Sequence, residues 1–150
     1  MPDVTHVKTV NAPISATWDF CKDMNNWVQY LKGYEKHEEK SETDSIWWIK
    51  GDVGIMAKTV SFEVHIDEWV DEDRVTFSMK GVSESMNGKG ALRLEAEGDS
   101  ATRLTFNLEI KAGGLIGPMV NAVLGPVLKP IAEDFADKLV ARIEEIQASK

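Results

Sequence analysis

The chain has 150 residues, of which 43% are hydrophobic and 28% charged. A domain of that length buries about 68–70% of its unfolded surface without help from a disulfide or a structural metal. The composition excludes disordered, collagen-like and low-complexity chains. A formal net charge of −8 repels phosphate backbones and argues against nucleic acid as a partner. The lone Cys21 has no internal disulfide partner, and the opening Met-Pro-Asp-Val-Thr-His has no signal-peptide pattern. The expectation is one domain over residues 1–150 working in the cytoplasm.

Residues 4–10 are rich in β-branched residues and read as a strand. Asn11-Ala12-Pro13 stops it and starts a helix near Pro13, with Asn11 placed to cap. Ile14, Thr17, Trp18, Cys21 and Met24 fall at helical spacing. Asp23 then caps a second short helix carrying Trp27, Tyr30 and Leu31, which Gly33 ends.

Antiparallel strands follow. Tyr34 to Lys40 is almost wholly charged, which fits an edge strand open to water. The next strand, Ser45 to Asp52, holds adjacent Trp47 and Trp48, and the expectation places Trp48 inward. Lys58–Trp69 alternates, with Val60, Phe62, Val64 and Ile66 on one face. Arg74–Lys80 puts Val75, Phe77 and Met79 on one face; Met86–Ala96 does so with Leu92 and Leu94, and a last strand with Leu104, Phe106, Leu108 and Ile110. Period-2 alternation of this kind means one wet and one buried face, and it excludes an all-parallel sheet.

From Pro118 to Gln147 the period changes. Met119, Val123, Val127, Ile131, Phe135, Leu139, Ile143 and Ile146 mark a long amphipathic helix, expected to kink or break near Gly125-Pro126 and Pro130. The resulting fold class is α+β. A curved antiparallel sheet of about six or seven strands wraps a long C-terminal helix, with two short helices after the first strand.

The opening Asn11-Ala12-Pro13-Ile14…Trp18-Asp19-Phe20 resembles the helix-grip superfamily, which includes START domains, pathogenesis-related plant allergens and the polyketide cyclase/dehydrase group. Ala112-Gly113-Gly114 leading into a long helix is most similar to the CoxG-like family of carbon monoxide dehydrogenase accessory proteins, from which Leu31-Lys32-Gly33-Tyr34 departs in lacking a Pro-Gly-Cys turn. The resemblance implies an apolar cavity between sheet and helix for a lipid, an isoprenoid or quinone, or a polyketide-like molecule. It also implies members that bind and carry without catalysing.

Chemically distinctive clusters are few in the sequence. His6, His37 and His65 lie far apart in sequence; His65 shares a strand face with Glu63 and Asp67, which reads as a solvated face rather than a metal site. Cys21 sits on the apolar side of its helix and reads as a small buried hydrophobe. Gly88-Lys89-Gly90 falls within a strand, where glycine marks a bend or bulge rather than a phosphate loop. No carboxylate falls in an inner apolar stripe, so no catalytic residue, metal or cofactor is assigned.

What remains is apolar. The expected ligand contacts are Trp27, Tyr30, Trp48, Phe62, Val64, Phe77, Met79, Leu92, Phe106, Met119, Val123 and Val127. The mouth is expected at Met119–Leu128, where Gly and Pro loosen the helix, opposite Trp27 and Tyr30. The partner expected is therefore a hydrophobic small molecule, carried without catalysis. The alternatives are a cyclase or aromatase using the same cavity, with Tyr30 or His65 moving protons, and an accessory module delivering ligand to a partner enzyme or membrane. Residues 112–128 carry no charge and would make transient contact with a membrane or partner, while their Gly and Pro oppose stable insertion.

Overall fold

The computed structural model describes residues 3–53, 56–82, 85–115 and 117–150. The elements run β1 (Asp3–Val10), α1 (Ile14–Cys21), two 3-10 turns (Met24–Asn26 and Val28–Tyr30), β2 (Tyr34–Glu39), β3 (Asp44–Val53), β4 (Met56–Val70), β5 (Arg74–Gly81), β6 (Met86–Ala96), β7 (Thr102–Ala112) and α2 (Gly117–Ala148). The seven strands form one antiparallel sheet in the order β1-β7-β6-β5-β4-β3-β2. This is the α+β architecture expected from the sequence. Short turns pair sequence neighbours, and the last strand returns beside the first.

Alternation decides which side is wet. Val75, Phe77 and Met79 of β5 are buried, whereas Arg74, Thr76 and Ser78 between them are not. Register shifts between Tyr34 and Lys36 in β2 and between Ile66 and Glu68 in β4 add local twist.

The N-cap of α1 is Pro13, in extended conformation and without a side-chain cap, rather than Asn11. Asp23 does cap the first 3-10 turn, accepting from the Asn25 backbone N–H at 3.0 Å. Gly33 takes φ +87°, the left-handed region, and a Cβ there would collide with the Lys50 carbonyl. Both features turn the chain sharply into β2.

α2 is assigned as one helix through Pro126 and Pro130, with no break at either. It packs chiefly along β1 and β7, pinned by Lys8 Nζ to Asp137 Oδ1 at 2.6 Å and by the Asn11 N–H donating to Glu144 Oε2 at 2.8 Å. Its buried stripe is Gly117, Val120, Leu124, Leu128, Ala132, Phe135, Leu139 and Ile143, with Ala136 and Val140 beside it. The expected Met119 and Val123 are instead 53% and 39% exposed. The reason is angular. Steps of four residues in a helix of 3.6 per turn rotate the stripe by about 40° each, so Met119 lies about 160° from Phe135. The real stripe mixes steps of three and four and stays in line.

Candidate ligand site between sheet and helix

Because β7 runs antiparallel to β1 and α2 returns along both, the C-terminal half of α2 meets the sheet end that carries α1 and the 3-10 turns. Tyr30 accordingly lines a groove of about 370 Å³ with Phe20, Arg142, Ile143 and Ile146. An adjoining groove of about 530 Å³ is bordered by Tyr30, Tyr34, Lys138 and Arg142. The expected pairing of Tyr30 with Met119–Leu128 is therefore corrected: those residues belong to the opposite end of α2.

Aromatic side chains from four elements and a turn bridge helix and sheet. Trp27, joining the two 3-10 turns, meets Trp47 of β3 edge-on with centroids 5.8 Å apart. It also meets Phe77 of β5 at 5.6 Å and Phe135 of α2 at 6.0 Å. Trp47 and Phe77 lie 5.4 Å apart, and Phe135 meets Phe106 of β7 at 4.6 Å with the rings tilted. Such pairs contribute about 0.5–1.5 kcal/mol each beyond the burial of their area. Phe62, Val64, Met79 and Leu92 continue the buried inner wall. Val127 is half-buried and packs on a separate small cluster of Ala112, Val120 and Leu124.

Trp47, not Trp48, faces inward. Trp47 is paired with Phe62 and fully buried, whereas Trp48 points to the outer face, with Lys36 Nζ 4.6 Å from its ring centroid. Adjacent strand residues take opposite faces, and only the pairing register with β4 decides which tryptophan is inner.

The indole N–H groups fare differently. Trp27 Nε1 donates to the Cys21 carbonyl at 2.9 Å, Trp18 Nε1 to Asp71 at 3.2 Å and Trp69 Nε1 to the Lys22 carbonyl at 3.0 Å. Trp47 Nε1 is buried and has no acceptor among the described residues. An orphaned donor of this kind costs about 1–3 kcal/mol. Asp134 Oδ2, also buried, has Lys138 Nζ 3.1 Å away as its counter-charge.

Among the described residues the buried polar side chains are Thr17, Ser45 and Thr102. Cys21 is fully buried, and burial pushes its thiol up to about 12, which keeps it protonated and unreactive. On the outer face, His65 Nδ1 lies 2.9 Å from Asp44 Oδ1, and that hydrogen bond holds the Asp44 carboxyl below its ordinary value. Asp67 accepts from Ser78 instead. No three His, Cys, Asp or Glu among the described residues converge as metal ligands.

One polar relay is not legible in the sequence. Asn25 Nδ2 donates to Glu39 Oε2 at 2.8 Å and Asp23 Oδ1 at 3.1 Å, which turns Asn25 Oδ1 toward His37 Nε2 at 2.7 Å. His37 donates from Nε2, and in the neutral ring its Nδ1 accepts from the Tyr34 hydroxyl at 2.7 Å. Period-2 alternation puts residues 34 and 37 on opposite faces; the register shift in β2 brings them together.

The family model for polyketide cyclase/dehydrase and lipid transport matches residues 1–144. No curated protein matches the chain. Among solved structures, a Thermus thermophilus protein is 22% identical with TM-score 0.77, covering 99% of this chain and 100% of its own. An aromatase/cyclase from Streptomyces sp. R1128 is 17% identical with TM-score 0.68, covering 95% and 93%. A START superfamily protein from Mycobacterium smegmatis is 15% identical with TM-score 0.69, covering 96% and 98%. At these identities the structures show a shared fold. The narrower likeness to the CoxG-like proteins remains a resemblance. The sheet, its gripped helix and the match over nearly the whole chain agree: this chain belongs to the polyketide cyclase/dehydrase and lipid transport family.

Proposed function

We propose that the chain binds and carries a hydrophobic small molecule (a lipid, an isoprenoid or quinone, or a polyketide-like compound) between the sheet and α2. One observation carries this reading. The helix packs along β1 and β7, while the inner wall of β3 to β5 is reached through the rings of Trp27 and Phe135. Side chains can swing aside for a ligand where packed backbone cannot. Trp27, Phe62, Val64, Phe77, Met79, Leu92 and Phe106 are proposed as that wall, with Trp47 in place of Trp48. Burying ten CH2 groups would contribute about 8 kcal/mol gross, micromolar binding before the costs of ordering. The reading treats residues 1–150 as one domain acting in the cytoplasm. Ligand exchange is assigned to the uncharged 112–128 segment, where Leu115, Met119 and Val123 are exposed. Native mass spectrometry before and after organic extraction tests it. A copurifying apolar adduct, or saturable uptake of an added one, is expected; neither appearing overturns the proposal.

A second reading, a cyclase-type enzyme, draws on the Tyr34–His37–Asn25 relay. A phenol hydrogen-bonded to an imidazole can pass protons to a bound polyketone. Turnover of a poly-β-keto thioester that is lost in both Tyr34→Phe and His37→Gln would support it. Unchanged turnover in the two variants would remove it.

A further inference from the structure

We propose that the carried molecule presents a hydrogen-bond acceptor oxygen, such as a ketone, quinone or ester carbonyl, to the Trp47 indole N–H. The inference rests on the carrier reading and narrows its ligand class.

Two touching indoles differ in how their N–H groups are met. Trp27 and Trp47 are both fully buried, yet Trp27 is satisfied by the Cys21 carbonyl and Trp47 by none of the described residues. Buried tryptophan N–H groups ordinarily find partners, and an orphan calls for a reason. The cross-strand neighbours of Trp47 are Phe62, whose side chain has no acceptor, and His37. Both nitrogens of His37 are engaged elsewhere, Nδ1 by Tyr34 and Nε2 by Asn25. The Asn25 amide is held in turn by Asp23 and Glu39, so the relay keeps His37 from turning to Trp47. Phe77 and Trp27 set their rings against the indole.

The donor therefore stands in the aromatic wall proposed for the ligand, kept free by a network that commits its polar cross-strand neighbour. A pure hydrocarbon would leave it unpaired in the complex, whereas a carbonyl would satisfy it in a water-poor setting, where the bond counts most. Carbonyl ligands should then bind about tenfold more tightly than alkanes of equal length.

The test uses 2-tridecanone and tridecane as a matched pair, with the intact protein labelled with 15N at its tryptophans. The Trp47 indole resonance, assigned through its contacts to Phe77, should move downfield with the ketone and hold its position with the alkane. Trp47→Phe should abolish the roughly tenfold preference for ketone over alkane, whatever it does to the affinity for either probe alone. If both probes bind and the Trp47 resonance answers them alike, or if Trp47→Phe keeps the ketone preference, the N–H serves a buried water and the inference falls while the carrier reading stands. If neither probe binds, the carrier reading fails and takes this inference with it.

Discussion

Gly90 of β6 gives up its side-chain space to the ring of Phe77, its partner on β5: a Cβ at Gly90 would lie within 2.8 Å of three ring carbons. The second glycine of the Gly88-Lys89-Gly90 run is thus explained by packing. The ring that Gly90 admits is the one that meets both Trp27 and Trp47. Gly90→Ala is expected to destabilise the fold by about 1–3 kcal/mol through overpacking. Adding Phe77→Leu should return part of that loss in urea unfolding; strictly additive effects would show that the two positions are not coupled.

The phase of α2 is open to direct test. Leu124→Ala should cost about 2–5 kcal/mol, because it empties a buried site. Val123→Ala, one residue away, should stay within about 0.5 kcal/mol. Chemical denaturation of the two variants decides, and the reverse ranking would restore the stripe through Met119 and Val123.

Asn121 clamps the start of α2 to the end of β7. Its Oδ1 accepts from the Ala112 N–H at 2.8 Å, and its Nδ2 donates to the Ala112 carbonyl at 3.0 Å. Asn121→Ala leaves both backbone groups without that partner and should cost about 1–3 kcal/mol. Hydrogen exchange should quicken at Ala112 and in the first turns of α2, while the β1–β7 pairing keeps its protection. Uniform quickening across the sheet would mean that the clamp acts globally and not at the helix start.

Cys21 makes a prediction with a definite sign. Its folded value, about 12, lies above the ordinary 9.0, so the native state keeps a proton that the unfolded chain releases. The associated stability is present below pH 9 and is lost as the pH climbs toward about 12. Cys21→Ala should therefore flatten part of the alkaline decline in stability. At pH 8 a thiol reagent should label the native protein only as fast as it opens, and immediate labelling would contradict the burial.

Met119→Asp addresses the 112–128 segment. Met119 is exposed, so the melting temperature should barely move. Ligand transfer to phosphatidylcholine vesicles should slow severalfold, since the change places a charge on an uncharged apolar stretch. Transfer at the parent rate would exclude this segment as the exchange surface.

The sequence alone determined the element order, the strand alternation, the capping role of Asp23, the turn at Gly33 and the structural character of Cys21. Each of these depends on local backbone preference or a short period, which the chain carries wherever it folds. Tertiary structure decided the rest. The pairing of β3 with β4 chose Trp47 over Trp48, because alternation constrains neighbours to opposite faces without naming the inner one. The register shift in β2 joined Tyr34 to His37, and the return of α2 along β1 set Tyr30 beside Arg142 and away from Met119. Which stripe of a 32-residue helix is buried depends on the small angle gained at every step, and only contact with β1 and β7 sets that angle. The unpartnered Trp47 N–H belongs to the same class, since an absent acceptor is a property of the assembled neighbourhood and not of any residue in it.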